Sequence, residues 1–355
     1  NYIFERMTGE DYTISPAELS IETQDVEVFY NGSPYDIKTN SVTKAESVND
    51  RNITWEFSLN EITPDGAVTA SVTSLTHVNG SGGYTVYYRV GAPNHETKTG
   101  SFVFNIRQEQ VVWRTEYSRD DWTYGSVAGN ITDAVAKFAH SDPNFLTVNV
   151  AYYGTRTGED GNYQYSDRLD ESFFNENTPA GTYYAVVSVE GAEANAYDGI
   201  NWLGVESEYS FEVTKANLTL VPIEATATYG TGKGEIVWNG FTFSTSAGEG
   251  VLQGSDTDID TVLSGYTLVY TAQEYDAGDH VGKYTIAMQV HLGEQPQSEL
   301  KNYILDIREL TDGFTVNPVD LSVNITAPDD LVYKSAPITP GFSDNRLSFN
   351  EEKDD

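Results

Sequence analysis

The side chains in this chain best equipped for chemistry are its carboxylates: 54 Asp and Glu stand against 20 Lys and Arg, with five His and no Cys. Carboxylates can act in pairs at a glycosidic bond or ligate Ca²⁺ through clustered oxygens. Two runs are dense enough for the second role, Asp256-Thr257-Asp258-Ile259-Asp260 and Gly158-Glu159-Asp160-Gly161-Asn162. Neither has the spacing of an EF-hand loop, and in so acidic a chain such runs arise from composition. The expectation is no cofactor and no metal site, with Ca²⁺ the one ion to test. A catalytic pair needs a cleft, which small domains with short connections rarely build. His77, His95, His140, His280 and His291 share no metal-ligand spacing and read as solvated loop residues. Gly230-Thr231-Gly232-Lys233-Gly234 imitates a phosphate cradle but lacks the Ser/Thr ligand and the following helix. No nucleophile elbow is present. The reading is that the chain is not an enzyme.

Aromatic side chains offer a second chemistry. Residues 109–215 hold Trp113, Trp122 and Trp202 together with Tyr152, Tyr153, Tyr163, Tyr165 and Tyr197. A loop from Ala192 to Gly204 sets Tyr197 and Trp202 beside Asp198 and Asn201. Sugar rings stack on exposed aromatic faces, and neighbouring Asp and Asn bond their hydroxyls. Tyr197, Asp198, Asn201 and Trp202 are therefore the candidate ligand-binding residues, with host glycans or mucin as the partner class. The plainer reading is that Trp113 belongs to a core and Trp202 caps it.

The bulk numbers exclude several classes. A formal net charge of −34 repels phosphate backbones, so nucleic acid is not a partner, and anionic membranes are disfavoured too. Without Cys there are no disulfides and no thiolate chemistry. No apolar run is long enough to span a bilayer, and Asn1-Tyr2-Ile3-Phe4-Glu5-Arg6 does not open a signal peptide. Hydrophobic residues make up 39% of the chain and aromatic residues 12% of it, enough to build cores.

The elements that must carry these residues repeat. Asn1-Tyr2-Ile3 matches Asn302-Tyr303-Ile304, Pro16 matches Pro318, and Leu19-Ser20 matches Leu321-Ser322. Thr123-Tyr124-Gly125 echoes Thr228-Tyr229-Gly230. Gly-x-Tyr before an apolar alternation occurs at Gly82-Gly83-Tyr84, Gly181-Thr182-Tyr183 and Gly282-Lys283-Tyr284. Self-similarity at this period signals a repeat architecture. The predicted units are 16–108, 109–215 and 216–317, preceded by the tail of a repeat at 1–15 and followed by the start of another at 318–355, so that both ends read as cut. Closing strands near Phe102-Val103-Phe104, Phe211-Glu212-Val213 and Phe314-Thr315-Val316 feed almost directly into the next opening strand. The linkers are not Gly/Ser tethers, which predicts an extended, semi-rigid array.

Strand signals dominate: Tyr84 to Val90, Tyr183 to Val189 and Tyr266 to Tyr270 are β-branched and aromatic, with turn pairs such as Asn31-Gly32 and Asn79-Gly80 between such runs. Helices are predicted at Thr132 to Ala139, capped by Thr132, and at Asp258 to Leu263. The first unit reads as a pure sandwich. The fold class is all-β with short helices, a tandem array of small Ig-like or β-grasp-like domains.

Val28-Phe29-Tyr30-Asn31-Gly32-Ser33-Pro34-Tyr35, followed later by Gly83-Tyr84-Thr85-Val86-Tyr87-Tyr88, resembles the Ig-like repeats of bacterial cell-surface proteins. Thr228-Tyr229-Gly230, Val281 to Ile286, Asn302 to Leu305 and Phe314 to Pro318 resemble MBG-type repeats, and 109–215 is a divergent relative. The resemblance implies an extracellular stalk or adhesin of a bacterial surface or cell wall, with neighbouring repeats as its first partners and no catalytic residues to carry over. Two alternatives to a plain stalk stand beside it: an adhesin module acting through 109–215, and accessory domains of a secreted glycoside hydrolase. Some such surface proteins carry Lys–Asn isopeptide crosslinks, for which Lys215 is the place to look; a salt-bridged or free Lys is the plainer reading.

Overall fold

The computed structural model describes residues 15–48, 52–158, 163–197 and 199–320, with the backbone of 324–326 and 341–343. Asp198, most of the Gly158 to Asn162 run, and nearly all of the predicted end segments 1–15 and 318–355 lie outside the described residues. The described chain is almost entirely strand and turn, in a succession of small sheets, as the alternating sequence requires. It divides into two compact units. Unit 1 takes in Asn1–Trp122, Val127–Asn175 and Gly181–Val213; unit 2 takes in Thr123–Ser126, Glu176–Ala180 and Thr214–Asp355.

The first half of unit 1 holds strands β1 (Val26–Phe29), β2 (Thr54–Ser58), β3 (Tyr84–Gly91) and β4 (Lys98–Arg107) in one sheet of order β1-β4-β3-β2. Here β1 runs parallel to β4 and the other pairs are antiparallel. The second half holds β5 (Glu109–Thr115), β6 (Val135–Phe138), β7 (Asn149–Tyr153), β8 (Gly181–Val189), β9 (Trp202–Leu203) and β10 (Val205–Thr214). Its sheets are β6-β5-β9 and a five-stranded sheet centred on β10, β8 and β7. Along β8, Tyr183, Ala185, Val187 and Val189 are buried in strict alternation, the period of a strand with one face in the core.

Unit 2 contains β11 (Ala216–Pro222), β12 (Ala225–Thr228), β13 (Phe241–Thr245), β14 (Thr267–Ala272), β15 (Gly282–Leu292), β16 (Tyr303–Ile307) and β17 (Leu310–Asn317). One sheet sets β11 between β13 and β16, and the other runs β12-β17-β15-β14.

The sequence echoes are structural. The Gly-x-Tyr tyrosine lies within the first three residues of a long strand each time and sits opposite the closing-strand phenylalanine: Tyr84 faces Phe104, Tyr183 faces Phe211, and Tyr284 faces Phe314. The Tyr84 hydroxyl donates to the His77 carbonyl at 2.8 Å, and that of Tyr284 to the His280 carbonyl at 2.7 Å. The backbone N–H groups of Tyr30, Tyr124 and Tyr229 donate to the carbonyls that end the closing strands, Arg107, Thr214 and Asn317, at 2.9, 2.9 and 2.8 Å.

Two helix expectations need correction. Residues 132–139 are not helical. Ile131–Thr132 pairs with Ser118–Arg119, and β6 pairs antiparallel with β5, Phe138 opposite Val111. Exposed Val135 beside buried Ala136 and Phe138 is a period of two, and cross-strand pairing outweighs weak local propensity. The first unit is not a pure sandwich, because it carries α1 (Ile37–Ser41), one turn capped by Asp36, whose carboxylate accepts from the Thr39 N–H at 2.7 Å. The helix expected near Asp258 is present as α2 (Ile259–Val262), capped by Asp258.

Candidate functional site

The Ala192–Gly204 loop of unit 1 ends in β9, which pairs parallel to the start of β5, Trp202 opposite Glu109. The Glu109 N–H donates to the Asn201 carbonyl at 3.0 Å, and Gln108 Nε2 to the Ile200 carbonyl at 3.0 Å. The loop is thereby fastened to the turn that links the two halves of unit 1.

Asn201 is 7% exposed. Its Oδ1 accepts from the Val78 N–H at 3.1 Å and from Asn195 Nδ2 at 3.0 Å, and its Nδ2 lies 3.1 Å from His77 Nδ1. Asn195 Nδ2 also reaches the Val78 carbonyl at 2.9 Å. A side-chain amide has both donor and acceptor atoms, and here they satisfy the backbone of a turn from the first half. Trp202 stacks on Tyr30 with centroids 5.6 Å apart and meets Phe138 and Phe145 at 5.8 and 5.5 Å. Its Nε1–H donates to the Glu190 carbonyl at 3.2 Å. Tyr197 packs edge-on to Tyr84 at 5.3 Å and over His77 at 6.3 Å, yet 42% of it stays exposed. The structure thus gathers Tyr197, Asn201 and Trp202 at one place, with protein groups as their partners, while Asp198 lies outside the described residues.

Glycines mark where the halves come closest. Gly32 adopts φ +81°, and a Cβ there would collide with the Phe145 ring; a Cβ on Gly199 would collide with the Val78 carbonyl. Phe29 stacks on His140 at 3.6 Å, and His140 Nδ1 lies 3.2 Å from Oε1 of the buried Glu109. The other oxygen, Oε2, is buried without a hydrogen-bond partner. Burial pushes the phenols of Tyr30 and Tyr84 above their ordinary range, Tyr84 strongly, with Tyr197 adding to it.

His77 and His140, read from sequence as solvated loop residues, also take part in this joint, His140 with about half of its side chain exposed; nothing in the sequence points to Tyr30 or Asn195 there. The sequence held one usable signal. The Asn-aromatic-aliphatic triplet noted at Asn302-Tyr303-Ile304 recurs at Asn201-Trp202-Leu203.

The other candidates are local. Asp258 caps α2: its carboxylate accepts from the Thr261 hydroxyl at 2.8 Å and from the Asp260 and Thr261 N–H groups at 3.2 Å each, the hydroxyl bond first among the causes that lower its pKa. Among the described residues no group of three or more Asp, Glu or His gathers into a metal site. Lys215 Nζ pairs with Glu299 at 2.6 Å. An open cleft of about 520 Å³ lies against the joint, lined by Ser81, Asn105, Arg107 and Gln108 together with Gly199 and Ile200 of the loop.

No family model and no curated protein matches the chain. Among solved structures it is similar to mouse cadherin-23 EC22-24 (11% identity, 87% of this chain and 98% of that one, TM-score 0.26). It is also similar to the three N-terminal domains of the bacteriophage RB49 Highly Immunogenic Outer Capsid protein (10%, 86% and 99%, 0.25) and to Drosophila N-cadherin EC1-4 (12%, 84% and 77%, 0.22). These are distant likenesses.

Proposed function

We propose that this chain is a non-catalytic extracellular segment of Ig-like and MBG-type repeats that serves as the stalk of a bacterial surface protein. In this reading the Ala192–Gly204 loop is a joint that stiffens the stalk. One observation carries it: a single apolar cluster runs from Val26, Tyr30 and Phe104 through Val111 and Phe138 to Val189, with Trp202 packed against it. Residues on both sides of the 107–109 linker share that core, and a close-packed core transmits strain rather than bending. The test is to pull the full chain by its ends. A shared core predicts that residues 16–213 unfold in one step, releasing roughly 700 Å at up to ~3.6 Å per residue. Two successive steps of about half that length would mean independent beads and would remove the basis for the reading.

A second reading, a glycan- or mucin-binding module, is favoured by Tyr197. Its ring is exposed, and the same loop lines the open cleft. The check is a glycan and mucin panel with Tyr197→Ala alongside. Binding that the substitution abolishes would make this the leading reading, and no binding by the native chain would remove it.

A further inference from the structure

The same joint geometry occurs at two described places, and its outgoing half occurs at a third. In unit 1 the incoming half is Asn201 followed by Trp202: Asn201 holds the Glu109 N–H through its carbonyl and the Val78 N–H through its side chain. In unit 2 it is Asn302 followed by Tyr303. The Asn302 carbonyl accepts from the Ala216 N–H at 2.9 Å, and its Oδ1 accepts from the Ala180 N–H at 3.2 Å. Tyr303 pairs opposite Ala216 as Trp202 pairs opposite Glu109.

The outgoing half is a tyrosine bonded to the last residue of a closing strand, with a positive-φ glycine after it. Gly32, Gly125 and Gly230 have φ of 81°, 83° and 90°. Tyr30 is covered by Trp202 and is 7% exposed. Tyr124 is covered by Tyr303, ring to ring at 5.7 Å, and is 1% exposed. Tyr229 has the same backbone bond and the same glycine, yet it is 47% exposed. Beside it, across β17, Thr228 pairs with Asn317 and Gly282 with Val316, so Val281 sits at the same end. Val281 is 49% exposed, whereas Val78, at the corresponding place before the Gly-x-Tyr strand in unit 1, is 5% exposed.

We propose that Tyr229, Gly230 and Val281 form the docking surface for a further repeat of the same kind, the one the chain enters after Asn317. The inference rests on the stalk reading and extends it. The occupant follows from continuity. In unit 1 Phe138, edge-on to Tyr30, and Phe145, against Gly32, lie within the first forty or so residues after the closing strand, which from Asn317 corresponds to the stretch 318–355. Apolar groups at half exposure beside a continuing chain are what a repeat requires of its neighbour.

The test is to place a photoreactive benzoylphenylalanine at position 229 of the full chain and map the crosslinks. Crosslinks to residues 318–355 are expected. Crosslinks confined to 216–317, or to a second copy, would overturn the proposal. A second variant replaces 318–355 with a copy of 216–317, and nitration of Tyr229 is followed by mass spectrometry. Protection of at least tenfold relative to the unextended chain is expected, reversed when the copy carries its own Asn302→Ala and Tyr303→Ala changes. Unchanged nitration while the appended copy protects its Tyr275 would overturn it. Failure here with single-step unfolding of unit 1 would leave the stalk reading standing, so the two are separable.

Discussion

Asn201 and Asn302 perform one task at two points in the chain, each turning its side-chain oxygen toward the backbone N–H of an incoming turn. Replacing Asn201 with Ala strands that N–H of Val78, removes one of the two acceptors of Asn195 Nδ2 and takes away the amide facing His77. A buried donor left unmade costs ~1–3 kcal/mol. For a unit of this size about 2 kcal/mol corresponds to a Tm fall of roughly 4–8 °C, measurable by calorimetry. A change under a degree would show that the amide is not part of the joint's stability. Trp202→Ala should cost more, about 3–5 kcal/mol, because it empties the space between Tyr30, Phe138 and Phe145. The loop could be read from sequence as a sugar site because a joint and a sugar site draw on the same residues, aromatic rings and amides. What separates them is the partner. Val78 lies 123 positions from Asn201, and nothing local to the loop encodes it.

At the scale of the element, the strands were legible because alternation writes itself into sequence. Tyr183, Ala185, Val187 and Val189 in β8 need no partner to be recognised. The Thr132–Ala139 stretch was not legible, since Val135, Ala136 and Phe138 fit a helical face as well as a strand. Only pairing with Val111 and Val112 settles it. The buried tyrosines of the joint carry a pH consequence. Burial raises the phenol of Tyr84, and burial raises that of Tyr30. A group whose pKa is higher folded than unfolded contributes stability that is complete below the unfolded value. That stability falls as pH rises from the unfolded tyrosine value of about 10 toward the folded one. Denaturant midpoints should therefore stay level from pH 7 to about 9.5 and drop above it, by up to ~1.4 kcal/mol per pH unit for each such phenol. Tyr84→Phe should flatten the drop, at the cost of the bond to the His77 carbonyl. Midpoints level through pH 11 would mean that these rings open to water without unfolding.

For the molecule as a whole, charge sets the terms. A net charge of −34 makes the folded chain repel itself, while the ion pairs among the described residues are mostly exposed, as with Arg107 and Glu27 or Arg114 and Asp142, and such pairs contribute little. Added salt should therefore stabilise the chain by screening, most steeply below about 0.15 M, where the Debye length exceeds ~8 Å. Divalent cations collect near any such surface, so a rise in Tm on adding calcium would not by itself identify a site. The discriminating comparison is Ca²⁺ against Mg²⁺ at matched ionic strength. A built calcium site accepts six to eight oxygens in flexible geometry and rejects the smaller ion, whereas a diffuse field treats the two alike. With the Asp258 carboxylate already capping α2, the expected result is equal Tm shifts for the two ions, measured by calorimetry at millimolar concentrations. A calcium shift larger by several degrees would place an ion-binding cluster in this chain; equal shifts would assign the cation effect to the diffuse field of its −34 charge.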